Sequence, residues 1–169
     1  GFRQDGLSYV IVDFSRVGIP REAMRRYASD LLEQVRTIPG VASAALSSHI
    51  PLGRMSWSLA VSIPGGGQAG TASTFSQFTW VSPRYFETMG IPLKAGRDFN
   101  DGDSASASRA ILVNEQFVRQ YFDGQDPIGK SVRSLQEPGY PETLYQIVGV
   151  VRDTKYAALQ EPLRPIAYA

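Results

Sequence analysis

The longest stretch of this chain to repeat with the period of an α-helix lies between residues 24 and 38. Met24, Ala28, Leu31, Val35 and Ile38 follow one another at spacings of four, three, four and three residues. That lines them along one helical stripe and leaves Arg21, Arg25, Ser29, Glu33 and Arg36 on other faces. Pro20 suits the first turn, where its missing N–H is not needed, and Pro39-Gly40 ends the run. Burying each larger member of the stripe contributes about 1.5–3 kcal/mol before entropy is subtracted. The rest of the chain consists of short apolar or alternating runs cut by glycine and proline. The expected fold is therefore α+β, one long helix beside a strand-rich remainder with short helices.

Residues 7–14 (LSYVIVDF) are β-branched and aromatic and read as a strand, and residues 41–48 read as the next one. With the helix between them they make a βαβ-like or split βαβ unit. Farther on, Trp57, Leu59, Val61 and Ile63 alternate with Ser58, Ala60 and Ser62, so one face of that strand is expected in the core. Residues 64–73 (PGGGQAGTAS) read as a flexible connection, and residues 74–81 as a strand whose Phe78 and Trp80 are buried together. Ser82-Pro83 is expected to cap a short helix that ends at Met89 before Gly90. Residues 109–113 form an apolar strand, and Asn114 caps a helix through Phe122 that Gly124 stops. Residues 130–135 and 143–151 suit a hairpin. The two prolines of residues 162–169 point to an edge strand.

Composition narrows the function classes. A chain of 169 residues forms one domain or two small subdomains and buries about 70% of its unfolded surface. Its 17 basic and 16 acidic groups leave a formal charge of +1, which supplies no field for attracting nucleic acid or an anionic membrane. The absence of cysteine removes disulfide scaffolds, thiolate zinc sites and cysteine nucleophiles. Residues 55–83 contain no Asp, Glu, Lys or Arg, yet glycine, proline and hydroxyl residues interrupt them well short of the ~20 apolar residues of a membrane span.

Several constellations invite a catalytic or ligand-binding reading. Residues 124–131 (GQDPIGKS) satisfy the phosphate-loop pattern letter for letter. A phosphate loop runs from a strand into a helix whose amides hold the anion. Here the order is reversed, helix before and strand after, so Lys130 reads as a lysine on a turn. His49 is the sole histidine, beside Ser47 and Ser48. Neighbours on an extended segment point to opposite faces, and no G-x-S-x-G turn presents a serine. Asp98, Asn100, Asp101 and Asp103 flank Gly102, but glycine occupies a ligand position of the calcium-loop pattern and Ser108 stands where its glutamate belongs. Side-chain turns to the local backbone are the simpler account. Phe75, Phe78, Trp80, Tyr85 and Phe86 could form a ligand platform; at this density they read as core. No catalytic residue, cofactor site or metal site is assigned.

The order of the remaining motifs carries more information. Ile38-Pro39-Gly40-Val41, then Ser43-Ala44-Ala45 and Pro51-Leu52, resembles the opening of the MacB-like periplasmic core domain of ABC transporter permeases, the macrolide-exporter and FtsX-like family. The run Val81-Ser82-Pro83-Arg84-Tyr85-Phe86-Glu87-Thr88-Met89-Gly90-Ile91 is similar to that family's helix. Gly96-Arg97-Asp98-Phe99, Val113-Asn114-Glu115, Asp126-Pro127-Ile128-Gly129-Lys130 and Ile147-Val148-Gly149-Val150-Val151-Arg152-Asp153 follow in the family's order. These spellings resemble the duplicated-permease variant.

The resemblance implies a porter-like βαβ part in residues 1–52, completed by sequence beyond residue 169 or by another chain, and a strand-rich sabre-like part in residues 53–169. It implies an inner (plasma) membrane protein with this domain on its periplasmic, extracytoplasmic side. The domain would be non-catalytic and would couple membrane-helix motion to substrate export or partner contact. Its implied partners are the remainder of the permease and its ATPase, and a periplasmic adaptor or lipoprotein; a dimer is allowed, and nucleic acid is not expected. The rival readings are a free-standing periplasmic solute-binding module and a secreted hydrolase using His49 with Asp98 or Asp103.

Overall fold

Alternation of apolar and polar residues builds most of this molecule. The computed structural model describes residues 2–3, 5–14, 18, 20–53, 57–64, 74–104, 109–138, 140–156 and 158–169. Their elements are α1 (Arg21–Arg36), β1 (Trp57–Ser62), β2 (Thr74–Thr79), α2 (Tyr85–Met89), β3 (Leu93–Gly96), β4 (Arg109–Asn114), α3 (Glu115–Phe122), β5 (Ser131–Ser134), β6 (Thr143–Val151) and β7 (Ile166–Tyr168). The α+β expectation holds. The glycine-rich connection expected at residues 64–73 falls almost wholly outside the described residues.

The strands form one mixed sheet in the order β3-β6-β4-β7-β2-β1-β5, and β5 pairs back onto β6. All strands but β3 thus close into a ring. Around it, β4–β6 and β2–β7 run parallel and the other pairs antiparallel. β6 is long enough to hold β5 along residues 143–146 of one edge and β3 along residues 149–151 of the same edge. Closure removes the free edges that an open sheet must protect. Every ring strand sends side chains to one buried cluster, among them Leu59, Val61, Phe78, Ile111, Val113, Val132, Tyr145, Ile147 and Ala167, and α3 adds Phe117, Tyr121 and Phe122. That cluster is the ring interior. The opposite face of β4 and β7 turns Leu112, Ile166 and Tyr168 toward Tyr85, Phe86 and Met89 of α2, with Ile91 and Tyr156, in a second core.

Several sequence expectations are met closely. Leu59, Val61 and Ile63 are buried while Trp57 at the strand start is partly exposed. The hairpin forms, with Ser131 opposite Gln146 and Ser134 opposite Thr143. Of the helix stripe, Met24, Ala28, Leu31 and Val35 are half-buried, whereas Ile38 lies past the helix end and is 53% exposed; the buried residue of α1 is Leu32, which the stripe did not include. α1 ends at Arg36, before Pro39-Gly40.

Four expectations need correction. Residues 7–14 lie outside the sheet, because a strand exists only as one member of a pair and no described neighbour offers residues 7–12 a ladder. Residues 41–48 make a single antiparallel bridge, Ser47 to Val81. Serine hydroxyls interrupt the ladder there: Leu46 N–H donates to Ser82 Oγ at 2.9 Å and Trp80 N–H to Ser48 Oγ at 3.0 Å. Ser82 therefore receives the Leu46 amide instead of capping α2, and Arg84 takes the cap position in the left-handed region. Finally, residues 166–168 are no edge. β7 sits between β4 and β2 with its residues at most 1% exposed. Pro162 and Pro165 precede the strand, so its ladder loses no donor, and Pro165 C=O accepts from Gln77 N–H at 3.0 Å. β3 was not foreseen, since all four of its residues are exposed and give no alternation.

Candidate functional site

The lysine-bearing glycine turn is the first feature to place. α3 ends at Phe122 and β5 begins at Ser131, so a helix enters the turn and a strand leaves it. Five of its amides are committed to the protein. Gly124 N–H donates to Val118 C=O, Gln125 N–H to Phe122 C=O, Gly129 N–H to Ile147 C=O and Lys130 N–H to Pro127 C=O. Ile128 N–H donates to the Asp126 carboxylate at 3.0 Å. A phosphate cradle needs converging free amides at a helix N-terminus. This turn has a carboxylate at its centre and serves as the corner that starts β5.

His49 meets a serine after all. Residues 48 and 49 form a bend instead of an extended segment, which brings Ser48 Oγ to 3.0 Å from His49 Nδ1. The hydroxyl also accepts the Trp80 amide, and no carboxylate among the described residues contacts the imidazole. Burial lowers the His49 pKa, which favours the neutral ring. Asp98 and Asp103, the acids a hydrolase would have needed, are engaged elsewhere. Asp98 Oδ1 accepts Phe99 N–H at 2.7 Å, and Asp103 holds Arg97 through two hydrogen bonds at 2.6 and 2.8 Å. Asn100 Oδ1 accepts Gly102 N–H at 2.9 Å, the expected side-chain turn. Among the described residues no group of three or more His, Asp or Glu is placed to hold a metal ion.

The aromatics separate into different environments. Phe78 lies in the ring interior, Tyr85 and Phe86 lie in the second core, and Phe75 is 65% exposed. Tyr140 packs against both Trp57 and Trp80, at centroid distances of 5.1 and 5.3 Å. In the second core Tyr85 and Tyr156 share a hydrogen bond of 2.7 Å between hydroxyls. Burial raises the pKa of both, and of Tyr168, so these phenols stay neutral.

The motif blocks acquire structural roles that spacing alone did not give. Asn114, fully buried, uses its whole amide. Its oxygen accepts Phe117 N–H at 3.0 Å and Ile166 N–H at 2.9 Å, and its nitrogen donates to Asp153 Oδ1 and Arg164 C=O, both at 2.8 Å. The helix cap is as expected; the other three bonds tie β4, β7 and the end of β6 into one junction. Asp153 also accepts Gln116 N–H at 2.8 Å and pairs with Arg119. Gly96 and Gly149 face each other across β3 and β6. A Cβ on Gly96 would lie 2.2 Å from Val148 O, and one on Gly149 would lie 2.4 Å from Arg97 O and 2.8 Å from Leu112 Cδ2. Only glycine allows that approach. No sequence signal revealed this junction or this pair.

A seam joins residues 43–48, which follow α1, to residues 80–88 beside the ring. Besides the two serine bonds, Ser48 N–H donates to Trp80 C=O at 2.9 Å, Ser82 N–H to Leu46 C=O at 3.0 Å and Arg3 N–H to Met89 C=O at 2.8 Å. The Ser43 and Thr88 hydroxyls meet at 2.7 Å, and the Arg36 guanidinium donates to Ala44 C=O.

The chain matches the MacB-like periplasmic core domain family over residues 3–166. It is similar to the macrolide export ATP-binding/permease protein MacB of Aggregatibacter actinomycetemcomitans, 26% identical over 73 residues that form 43% of this chain and 10% of that protein. It is similar also to MacB of Neisseria gonorrhoeae, 23% identical over 77 residues, 46% of this chain and 11% of that protein. The chain thus spans about a tenth of the length of the curated relatives it matches. Its fold resembles the crystal structure of the periplasmic region of MacB from Actinobacillus actinomycetemcomitans, with TM-score 0.55 at 17% identity, covering 89% of this chain and 69% of that one. The extracellular domain of the noncanonic ABC-type transporter YknZ from Gram-positive bacteria gives TM-score 0.54 at 17% identity, covering 83% and 60%. These likenesses concern the fold, whereas the family match spans nearly the whole chain and takes in the turns and caps just described. This chain belongs to the MacB-like periplasmic core domain family.

Proposed function

We propose that this chain is the periplasmic, extracytoplasmic domain of an inner-membrane ABC transporter permease, a non-catalytic module that couples membrane-helix motion to substrate export or partner contact. The observation that carries this reading is the family match across residues 3–166. Among the described residues no helix is long and apolar enough to cross a membrane. A closed ring tied to residues 46–48 by paired hydrogen bonds suits transmission of displacement as a near-rigid body.

Residues 1–52 form the porter-like part and residues 53–169 the sabre-like part. Tyr9, Val10, Ile11 and Val12 are 66, 85, 84 and 44% exposed, a run of apolar side chains too continuous for a solvated segment. A strand from the remainder of the permease, or from a second copy of the domain, pairs with residues 7–12 and covers them. The ATPase subunit and a periplasmic adaptor or lipoprotein complete the assembly.

Binding of Mg-ATP tests the non-catalytic reading. Calorimetric titration of the chain is expected to give no saturable heat, and Lys130→Ala in the whole transporter is expected to leave ATPase and export rates unchanged. Micromolar ATP affinity that disappears in Lys130→Ala would overturn the reading.

A further inference from the structure

On the outer face of the ring, β1 and β2 place Ser58 opposite Gln77. Together with Phe75, Gln120 of α3, Arg164 and Pro165 these residues line a cleft of about 130 Å³. Gln77 is only 8% exposed, yet its side-chain amide makes no hydrogen bond to any described residue. The fully enclosed side-chain atoms without a partner among the described residues are Thr154 Oγ1 and Tyr168 Oη, so solvent reaches the Gln77 amide and a ligand group can take its place. Here the amide opens onto the cleft.

The rest of the lining narrows the occupant. The Arg164 side chain is 57% exposed, and its contact among the described residues is Glu161, at 4.0 Å from Nε, beyond hydrogen-bonding distance. Glu161 already accepts Tyr156 N–H at 2.6 Å. Arg164 is thus loosely ion-paired with Glu161, while its guanidinium donors face solvent with no hydrogen bond to a described residue, and a guanidinium fork matches a carboxylate. The Gln120 amide stands beside it, with one hydrogen bond to Tyr121 Oη at 3.2 Å. Phe75 and Pro165 supply apolar walls, and Phe75 is 65% exposed. Small-molecule sites usually enclose about 300–1,000 Å³. A cleft of about 130 Å³ has room for one side chain, not for a transported solute.

We infer that this cleft docks an acidic side chain, Glu or Asp, of a partner protein. Arg164 pairs with its carboxylate, Gln77 and Gln120 complete the hydrogen bonds, and Phe75 packs against the apolar residue beside it. The inference rests on the cleft alone, so its failure would leave the transporter-domain reading standing.

The test is an NMR titration of the chain at low salt, observing the side-chain N–H resonances of Gln77, Gln120 and Arg164. Three probes are compared: acetyl-Leu-Glu-Leu-amide, acetyl-Leu-Gln-Leu-amide and N-acetylglutamate α-amide. The glutamate peptide is expected to shift all three residues saturably and to bind at least about tenfold more tightly than the other two probes. Arg164→Gln is expected to weaken it by about tenfold without moving the unfolding midpoint. No shift at these residues, or equal binding of the glutamate and glutamine peptides, overturns the proposal. Equal binding of the peptide and the isolated N-acetylglutamate α-amide also overturns it, because the cleft would then take free carboxylates and not a protein partner.

Discussion

The ring of strands and residues 7–50, the α1 unit, solve the burial problem in opposite ways. The ring closes on itself, so its backbone groups find partners within the domain and its interior residues are almost fully buried. The α1 unit has Leu32, at 8%, as its one buried hydrophobic residue among those described, and it leaves Tyr9, Val10, Ile11, Tyr27 and Ile38 more than half exposed. The same chain thus holds a finished core and an unfinished one. Apolar surface without a cover is a cost the fold carries only where another surface supplies the cover. On the function proposed above, the unfinished unit is where the rest of the assembly is expected to meet this domain.

Substitutions should separate the two regions by size of effect. The largest loss is expected in the ring: Phe117→Ala removes a fully buried ring and should cost about 3–5 kcal/mol in urea unfolding. Gly149→Ala should cost about 3 kcal/mol, since its Cβ meets the Arg97 carbonyl and the Leu112 side chain. If Gly149→Ala unfolds at the parent midpoint, the Gly96–Gly149 approach is not a tight one. Asn114→Ala follows at about 2–3 kcal/mol, because Phe117 N–H and Ile166 N–H lose their acceptor.

How legible these differences were depended on whether the cause was local. Helical and strand periods are local, so α1, β1, β4, α3 and the β5–β6 hairpin could be read from spacing, as could the Asn114 cap. What lies between elements was silent. Nothing near Asn114 announces that Asp153 and Ile166 come to it, and Gly149 gives no hint of Gly96. The strand reading of residues 7–14 identified apolar, strand-forming residues correctly but could not supply a neighbour. The proline rule placed residues 166–168 at an edge because it was applied to a segment, whereas the prolines lie just outside the paired residues. At residue 49 a bend replaced the assumed extended backbone and brought Ser48 and His49 together. The Gln77 cleft is equally non-local, since its walls come from β1, β2, α3 and the segment before β7.

Smaller effects are expected in the loop beyond β3, where two aspartates titrate in opposite senses. The Arg97 guanidinium holds the Asp103 carboxyl below its usual value. Its stabilisation is present above about pH 4 and is lost as pH falls through the depressed folded value. Burial pushes Asp98 up, so its charged form carries a cost above the raised value that disappears below about pH 4. Asp103→Asn should therefore lower the urea midpoint at pH 7, and Asp98→Asn should raise it, each by less than about 1 kcal/mol. Both differences should vanish near pH 2; differences that persist there would show that charge is not their cause.

The smallest effect in the isolated chain is expected at the unfinished unit. Ile11→Ser should change stability by less than about 0.5 kcal/mol, because the side chain is already in water. In the assembled transporter the same substitution should weaken docking.

Hydrogen–deuterium exchange at residues 7–12, in the isolated domain and in the intact transporter, decides whether that unit is completed from outside. Fast exchange in isolation and at least about a hundredfold slowing in the transporter, with ring amides protected in both, is the expected result. Equally fast exchange of these residues in the intact transporter would contradict it.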